Sequence, residues 1–293
     1  MESKAINHES SRARWQAYRR RPLSLLLRLA VTVSAAITVF VLIALVAYIL
    51  IKGIPNLRPS LFAWEYTSEN ASMLPAIINT LTMTVLSLLM AVPVGICSAI
   101  YLVEYAKRGN KLVSLVRVTA ETLQGIPSIV YGLFGFLFLV VACKFGYSIL
   151  SGAITLAIMI LPLILRTTEE ALKAVPDLYR EGSFGLGAGR LRTVFRIVLP
   201  SAVPGILAGV ILAIGRIVGE TAALIYTSGT VAGVPDTLMG SGRTLAVHMY
   251  ALLSNGLYTE EAYATAVVLL VMVIGINALS GWLAKKVSAK QGE

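Results

Sequence analysis

Arg216 and Glu220 stand in a stretch, Leu199 to Ser228, that is otherwise apolar enough to cross a bilayer. An ionised side chain at the centre of the hydrocarbon costs about 2.5–3.5 kcal/mol on insertion scales, so each residue needs a compensating role. Four positions apart, they share one face if a single helix runs through both, and they can then neutralise each other. The alternative is that they line the route of a charged solute, the guanidinium donating charge-assisted hydrogen bonds to an anion. Arg166, just beyond Pro162 at the end of another apolar run, is either an anchor at the membrane surface or a further residue of that route. Arg216 lies 16 residues past Pro200, about 24 Å of helical rise. It and Arg166 therefore mark different depths rather than one binding point.

A second constellation is polar. REGSFGLGAGRLRTVFRIVLP, Arg180 to Pro200, separates two apolar segments and places Glu181, Gly187, Ile197, Leu199 and Pro200 at the spacing E-x5-G-x9-I-x-L-P. Pro176 and Asp177 suit the start of a short helix. Gly185, Gly187 and Gly189 interrupt it, with Gly187 free to take a left-handed turn. Arg190 to Val198 suits a second short helix, and Pro200 the first turn of the next span. The pattern predicts a helix–turn–helix knob on the membrane surface. An ordinary basic loop is the plainer reading.

These residues need a frame to hold them. The 293-residue chain is 57% hydrophobic, which excludes an ordinary soluble domain. Apolar runs predict six membrane helices: Leu29–Ile51, Leu74–Val103 with Pro93 as a point of kinking, Thr122–Cys143, Phe145–Leu165 after Lys144 alone, Leu199 to about Ser228, and Ala262–Ala284. The expected organisation is an all-α membrane domain over 29–284, a basic segment 1–28 before it and a tail 285–293 after it. The knob occupies about 176–200 and an external loop about 229–261.

Lys and Arg number seven in 1–28, four in 104–121, six in 166–198 and three in 285–293, against four in the alternate loops. The positive-inside rule then puts both termini and the knob in the cytoplasm. The net charge of +10 reads as topology rather than affinity for nucleic acid, and Arg19 to Arg21 as an anchor near anionic lipid headgroups. The first apolar run is longer than a signal core and predicts an uncleaved span. Cys97 and Cys143 lie in apolar runs without metal spacing. Leu245, Met249 and Leu252 predict a short interfacial or re-entrant helix in the external loop, with His248 on its polar face. The sequence holds no G-x4-G-K-[S/T] motif, so the energy for any pumping has to come from a partner.

The knob is similar to the EAA loop of bacterial ABC importer permeases, with Gly182 and Ser183 where two alanines are usual. QGIPSIVYGLFG (Gln124–Gly135), ILPLILRTTEEALKAVP (Ile160–Pro176), GRIVGETAAL (Gly215–Leu224) and GRTLAVHMY (Gly242–Tyr250) extend the likeness. Together they resemble the phosphate-specific ABC permeases of the PstA type. The resemblance implies the six-helix fold of a type I importer permease in a bacterial cytoplasmic membrane. It implies a second homologous permease subunit, two ATPase subunits that bind ATP and Mg, and an extracytoplasmic phosphate-binding protein. No catalytic, metal or cofactor site is expected in this chain. The resemblance places Glu181, Gly187, Ile197, Leu199 and Pro200 in ATPase coupling, and Arg166, Arg216 and Glu220 at positions associated with transport. Import of another oxyanion, sulfate or molybdate, is the alternative. A self-contained channel or secondary transporter is disfavoured by the knob and by the lack of an inverted second half.

The charge asymmetry generates a direct test. A reporter fused after Gly189 is expected to read cytoplasmic, and one after Gly240 extracytoplasmic; the opposite pattern in an accessibility assay would remove the topology.

Overall fold

The computed structural model describes residues 22–107 and 109–289. The expected anchor at Arg19 to Arg21 and the last residues of the tail lie outside them. The chain divides into two units, 1–51 and 52–293. The first is represented by helix α1, Pro22–Gly53, which runs on into the start of the second. Its only charges are Arg28 and Lys52, and a helix apolar on every side suits lipid rather than water.

The second unit carries the remaining helices, and the described residues contain no strand. Helix α2 spans Leu74–Ile100 and closes with a π turn, Tyr101–Tyr105. Helix α3, Lys111–Gln124, is capped by the Asn110 side chain. Helix α4, Ser128–Gly135, continues as π-helical turns through Ala142. Helix α5 is Ile149–Lys173, capped by Ser148. The knob comprises α6, Asp177–Gly185, and α7, Arg190–Thr193, whose π continuation Val194–Val198 leads without a break into α8, Leu199–Val218. Short α9, Ala222–Thr227, then α10, Leu245–Asn255, and α11, Thr259–Ala289, complete the chain.

Among the described residues five helices are long and apolar enough to cross a membrane, and there are six if α3 and α4, bent by 103° from each other, are taken as one span. The expected third span, Thr122–Cys143, is thereby corrected: its first residues belong to α3, and the apolar part starts at Ser128. The turn is held from both sides. Gln124 Nε2 donates to the Pro162 carbonyl at 2.9 Å, and the Tyr131 hydroxyl to the Leu123 carbonyl at 2.8 Å. Pro127 favours an extended backbone before α4 rather than continuation of α3. Helix α8 is also shorter than expected. It stops at Val218, and the chain breaks at Gly219–Thr221 before α9.

The core lies where α2, α5, α8 and α9 meet, around Met83, Leu156, Ile160, Ile164, Ala213, Ile217 and Leu224. A second apolar cluster, including Ile100, Leu172, Val175, Val194, Val198 and Ile206, binds the knob to the ends of α2, α5 and α8. At the opposite end the segment 229–244 is stitched in by its backbone. The carbonyls of Gly240 and Leu238 accept from the first N–H groups of α5, Ile149 and Leu150, donors that a helix cannot satisfy internally.

Gly132 sits where α4 crosses α9, and a Cβ there would meet the Ala223 Cα at 2.8 Å. Backbone cannot step aside, so Gly132→Ala is expected to destabilise by about 1–3 kcal/mol. Gly182 has nothing within 4 Å of a built Cβ, and Gly182→Ala is expected to be neutral or slightly stabilising. Thermal unfolding of the detergent-solubilised protein compares the two; equal midpoints would sink the packing assignment.

Candidate membrane path and coupling knob

The knob is built as expected and more firmly. Asp177 lies in the first turn of α6, Gly187 turns left-handed at φ 81°, and Pro200 falls in the first turn of α8. The two arms are joined by a buried hydroxyl contact, Ser183 to Thr193, at 2.8 Å. Thr193, Val194 and Val198 are buried, whereas Ile197, Leu199 and Pro200 are half-buried and Glu181 and Gly187 exposed. The outer face is apolar: Leu178, Phe184, Leu191 and Phe195 are exposed, and Leu186 at the tip is 91% exposed. A surface of this kind beside basic Arg190, Arg192 and Arg196 suits a protein partner.

Sequence reading gave Arg180 no role, and the structure makes it the root of the knob. Its Nε and Nη2 donate to Glu104 Oε1 at 3.1 and 2.8 Å, Nη2 also to the Leu172 carbonyl at 2.9 Å, and Nη1 to the Val175 carbonyl at 2.8 Å and Asp177 Oδ1 at 3.1 Å. Arg190, on the other arm, places its guanidinium 5.7 Å from the centre of the Tyr105 ring. The signal in the sequence was slight: an arginine just before the motif glutamate, and an acid more than seventy residues away.

In the membrane region Arg216 and Glu220 are close in sequence but do not pair. The helix ends between them. Gly219 N–H bonds back to Gly215 O, and buried Glu220 accepts from the Ala223 N–H at 3.1 Å through Oε1, capping α9. The single helical face expected for the two residues, and with it the reading of them as an ion pair, is therefore replaced by a helix break. The signal was present, since a glycine followed by an acid marks a helix stop and start. Arg216 makes no hydrogen bond or ion pair among the described residues. It is half-buried in the wall of an open groove of about 550 Å³, lined otherwise by Leu163, Ala208, Ile211, Leu212, Gly215 and Asn277. Among the described residues, Asn277 Oδ1 is buried there without a donor.

Arg166 lies elsewhere, in an ionic cluster between α3 and α5. It contacts Glu121 at 3.3 Å and Glu170 at 3.1 Å. Beside it Glu169, almost fully buried, lies 2.6 Å from Lys173 Nζ and 2.7 Å from Arg117 Nε, the latter a close approach of opposite charges without the alignment of a hydrogen bond. Arg166 and Arg216 do not share a site: they line separate cavities.

Helix α10 occupies the loop where a short helix was expected, but it is packed inward rather than interfacial. Leu245 and Leu252 are buried against neighbouring helices, and His248, expected on a polar face, is fully buried. Its ring meets Tyr66 edge-on at 6.1 Å, while buried Arg243 lies over the same tyrosine at 4.7 Å. Desolvation first, and the Arg243 charge second, push the His248 pKa down to about 3, with the Ala71 backbone pulling partly back. Burial likewise lowers Arg243, offset in part by Tyr66.

Comparison with known proteins identifies the frame. Residues 91–291 match the family described as the binding-protein-dependent transport system inner membrane component. The chain belongs to that family. It is 32% identical over 279 residues to a probable ABC transporter permease protein, YqgI, of Bacillus subtilis, covering 87% of this chain and 93% of the relative. It is 31% identical over 278 residues to the phosphate transport system permease protein PstA 2 of Mycobacterium bovis, covering 92% and 91%. Among solved structures, an ABC transporter importing the acidic polysaccharide alginate aligns with a TM-score of 0.61 at 19% identity, covering 93% of this chain and 98% of that one. The inward-facing MetNI methionine transporter aligns at 0.57 and 21%, covering 72% and 94%. The protein is a multi-pass permease subunit of an ABC importer with the type I fold.

Burial of His248 is expected to make the stability of this permease acid-sensitive. Below its usual pKa of 6.5 the unfolded chain binds a proton that the fold refuses, so stability is full above that pH and falls as pH drops toward about 3. The unfolding midpoint measured between pH 4 and 7.5 is expected to slope less in His248→Leu than in wild type; identical slopes would assign the acid sensitivity elsewhere.

Proposed function

We propose that this permease forms part of the path for inorganic phosphate in an ATP-driven importer. Relatives named as phosphate transport permeases support the substrate, at 31–36% identity. The observation that carries the reading is Arg216: a cation in a membrane span, without a partner among the described residues, on a groove large enough for a small oxyanion. A guanidinium so placed offers an anion charge-assisted hydrogen bonds in surroundings poor in competing water. Glu220 follows four residues on, past the helix break. As an ionised acceptor it would take a bond from the proton that phosphate carries at neutral pH, which sulfate lacks, and so favour phosphate by repelling its competitor. Arg166, held between two carboxylates, belongs to the other end of the path, where an arriving anion has to compete with Glu121 and Glu170.

In this reading the knob, with Glu181 and Gly187 at its exposed surface and Ile197, Leu199 and Pro200 at its base, docks in a cleft of an ATPase subunit. ATP and Mg are held by two such subunits, a second homologous permease completes the path, and an extracytoplasmic phosphate-binding protein delivers the ion. Both termini lie in the cytoplasm of a bacterial cell. Import of another oxyanion is the second reading, since an arginine by itself attracts any of them.

Uptake by proteoliposomes holding the whole complex tests this. Phosphate is expected to enter only with ATP and binding protein together, and excess sulfate to compete poorly. Arg216→Gln is expected to lower uptake at least about tenfold, the scale of one lost charged hydrogen bond. Glu220→Gln, which keeps the cap on α9, is expected to narrow the preference over sulfate while the protein still assembles. Wild-type phosphate uptake by the double variant Arg216→Gln with Glu220→Gln would exclude both residues from the path.

A further inference from the structure

We infer that Arg180 and Glu104 form the pin through which movement of the knob reaches the ends of α2 and α5, resting on the reading that an ATPase drives this permease. A guanidinium has five N–H bonds. In Arg180 all five are used, on three separate elements: the last turn and exit of α5 through the Leu172 and Val175 carbonyls, the first turn of α6 through Asp177, and the π turn that ends α2 through Glu104. The side chains of Arg180 and Glu104 are only 14% and 8% exposed. An ion pair so enclosed, with every donor satisfied, holds one geometry.

The surroundings make this contact a joint rather than an isolated bond. Leu172 and Val175, whose carbonyls receive Arg180, belong to the apolar cluster that also contains Ile100, Val194 and Val198. The other arm of the knob reaches the same π turn, since Arg190 lies over Tyr105, the residue next to Glu104. Both arms are thus tied to adjacent residues of one turn, and Ser183 and Thr193 tie the arms to each other. The knob has no slack against α2 and α5. A displacement of its apolar outer face is delivered to both helices together, as in transitions that move packed elements as rigid bodies. Asp177 is a minor member: its carboxylate is 77% exposed, and exposed ion pairs contribute little. Arg180 is a positioning residue and touches no substrate.

The reconstituted complex of both permeases, the ATPase subunits and the binding protein tests the pin by two measurements on one preparation, ATP hydrolysed and phosphate moved. Arg180→Lys keeps the charge but not the five-fold pattern of bonds; Glu104→Gln keeps an acceptor but not the charge. Each is expected to retain the ATPase through purification and to hydrolyse ATP within about twofold of wild type, while phosphate moved per ATP falls about tenfold, the scale of one lost charge-assisted hydrogen bond. Asp177→Asn is expected to keep the wild-type ratio. A wild-type ratio in both Arg180→Lys and Glu104→Gln overturns the inference, as does loss of the ATPase from both, which would make the contact part of the docking surface. Should Arg180→Lys fail to fold, Glu104→Gln decides alone. A wild-type complex that hydrolyses ATP and moves no phosphate would instead remove the functional reading beneath it.

Discussion

Hydrocarbon offers no hydrogen bonds, so every backbone group that leaves a helix inside the membrane must find a partner in the protein. That constraint orders this fold more than any single contact. Where the chain bends between α3 and α4, the Ile126 N–H and the Tyr131 hydroxyl supply the missing partners, both to the Leu123 carbonyl. At the break between α8 and α9, the Glu220 carboxylate does so. At the start of α5, the carbonyls of 238 and 240 do so. The first two solutions use residues of stretches that stand out in the sequence, Tyr131 in Gln124–Gly135 and Glu220 in Gly215–Leu224, which gives those stretches a structural reason to exist beside any role in transport.

The same constraint separates the charged residues into kinds. Glu169, Arg180 and Glu104 are enclosed and paired, and hold helices to each other at the knob end. Arg166 is half-exposed and neutralised. Arg216 alone of the three path candidates lies in a span with no acceptor for its donors among the described residues, which is why the substrate reading rests on it and not on Arg166. Glu220 has a task in the fold whatever else it does.

Much of this was legible in the sequence. Long uncharged runs located α1, α2, α5, α8 and α11, because a span needs some twenty apolar residues and little else resembles one. The knob was legible because glycine and proline report backbone geometry directly: Pro176, Gly187 and Pro200 all fall where their conformational limits predict. The breaks were marked only by single residues, Gly125 and Pro127 in one place and Gly219 and Glu220 in the other. Each lies inside a stretch that is apolar on average, so the bent pair read as one span and Arg216 and Glu220 as neighbours on one face. Long-range pairs were also hidden. Nothing local to Glu104 announces Arg180, and nothing local to His248 announces that Tyr66 and Arg243 enclose it.

The double attachment of the knob has a consequence for recombining such proteins. The segment 176–198 is not a detachable adaptor, because its fit depends on Glu104 and Tyr105 at the end of a different helix. A hybrid transporter that borrows the knob of a relative to accept a foreign motor has to borrow the 101–105 turn with it. Grafted alone, the borrowed piece would sit on a mount cut for another part, and the motor would turn against a loose fitting.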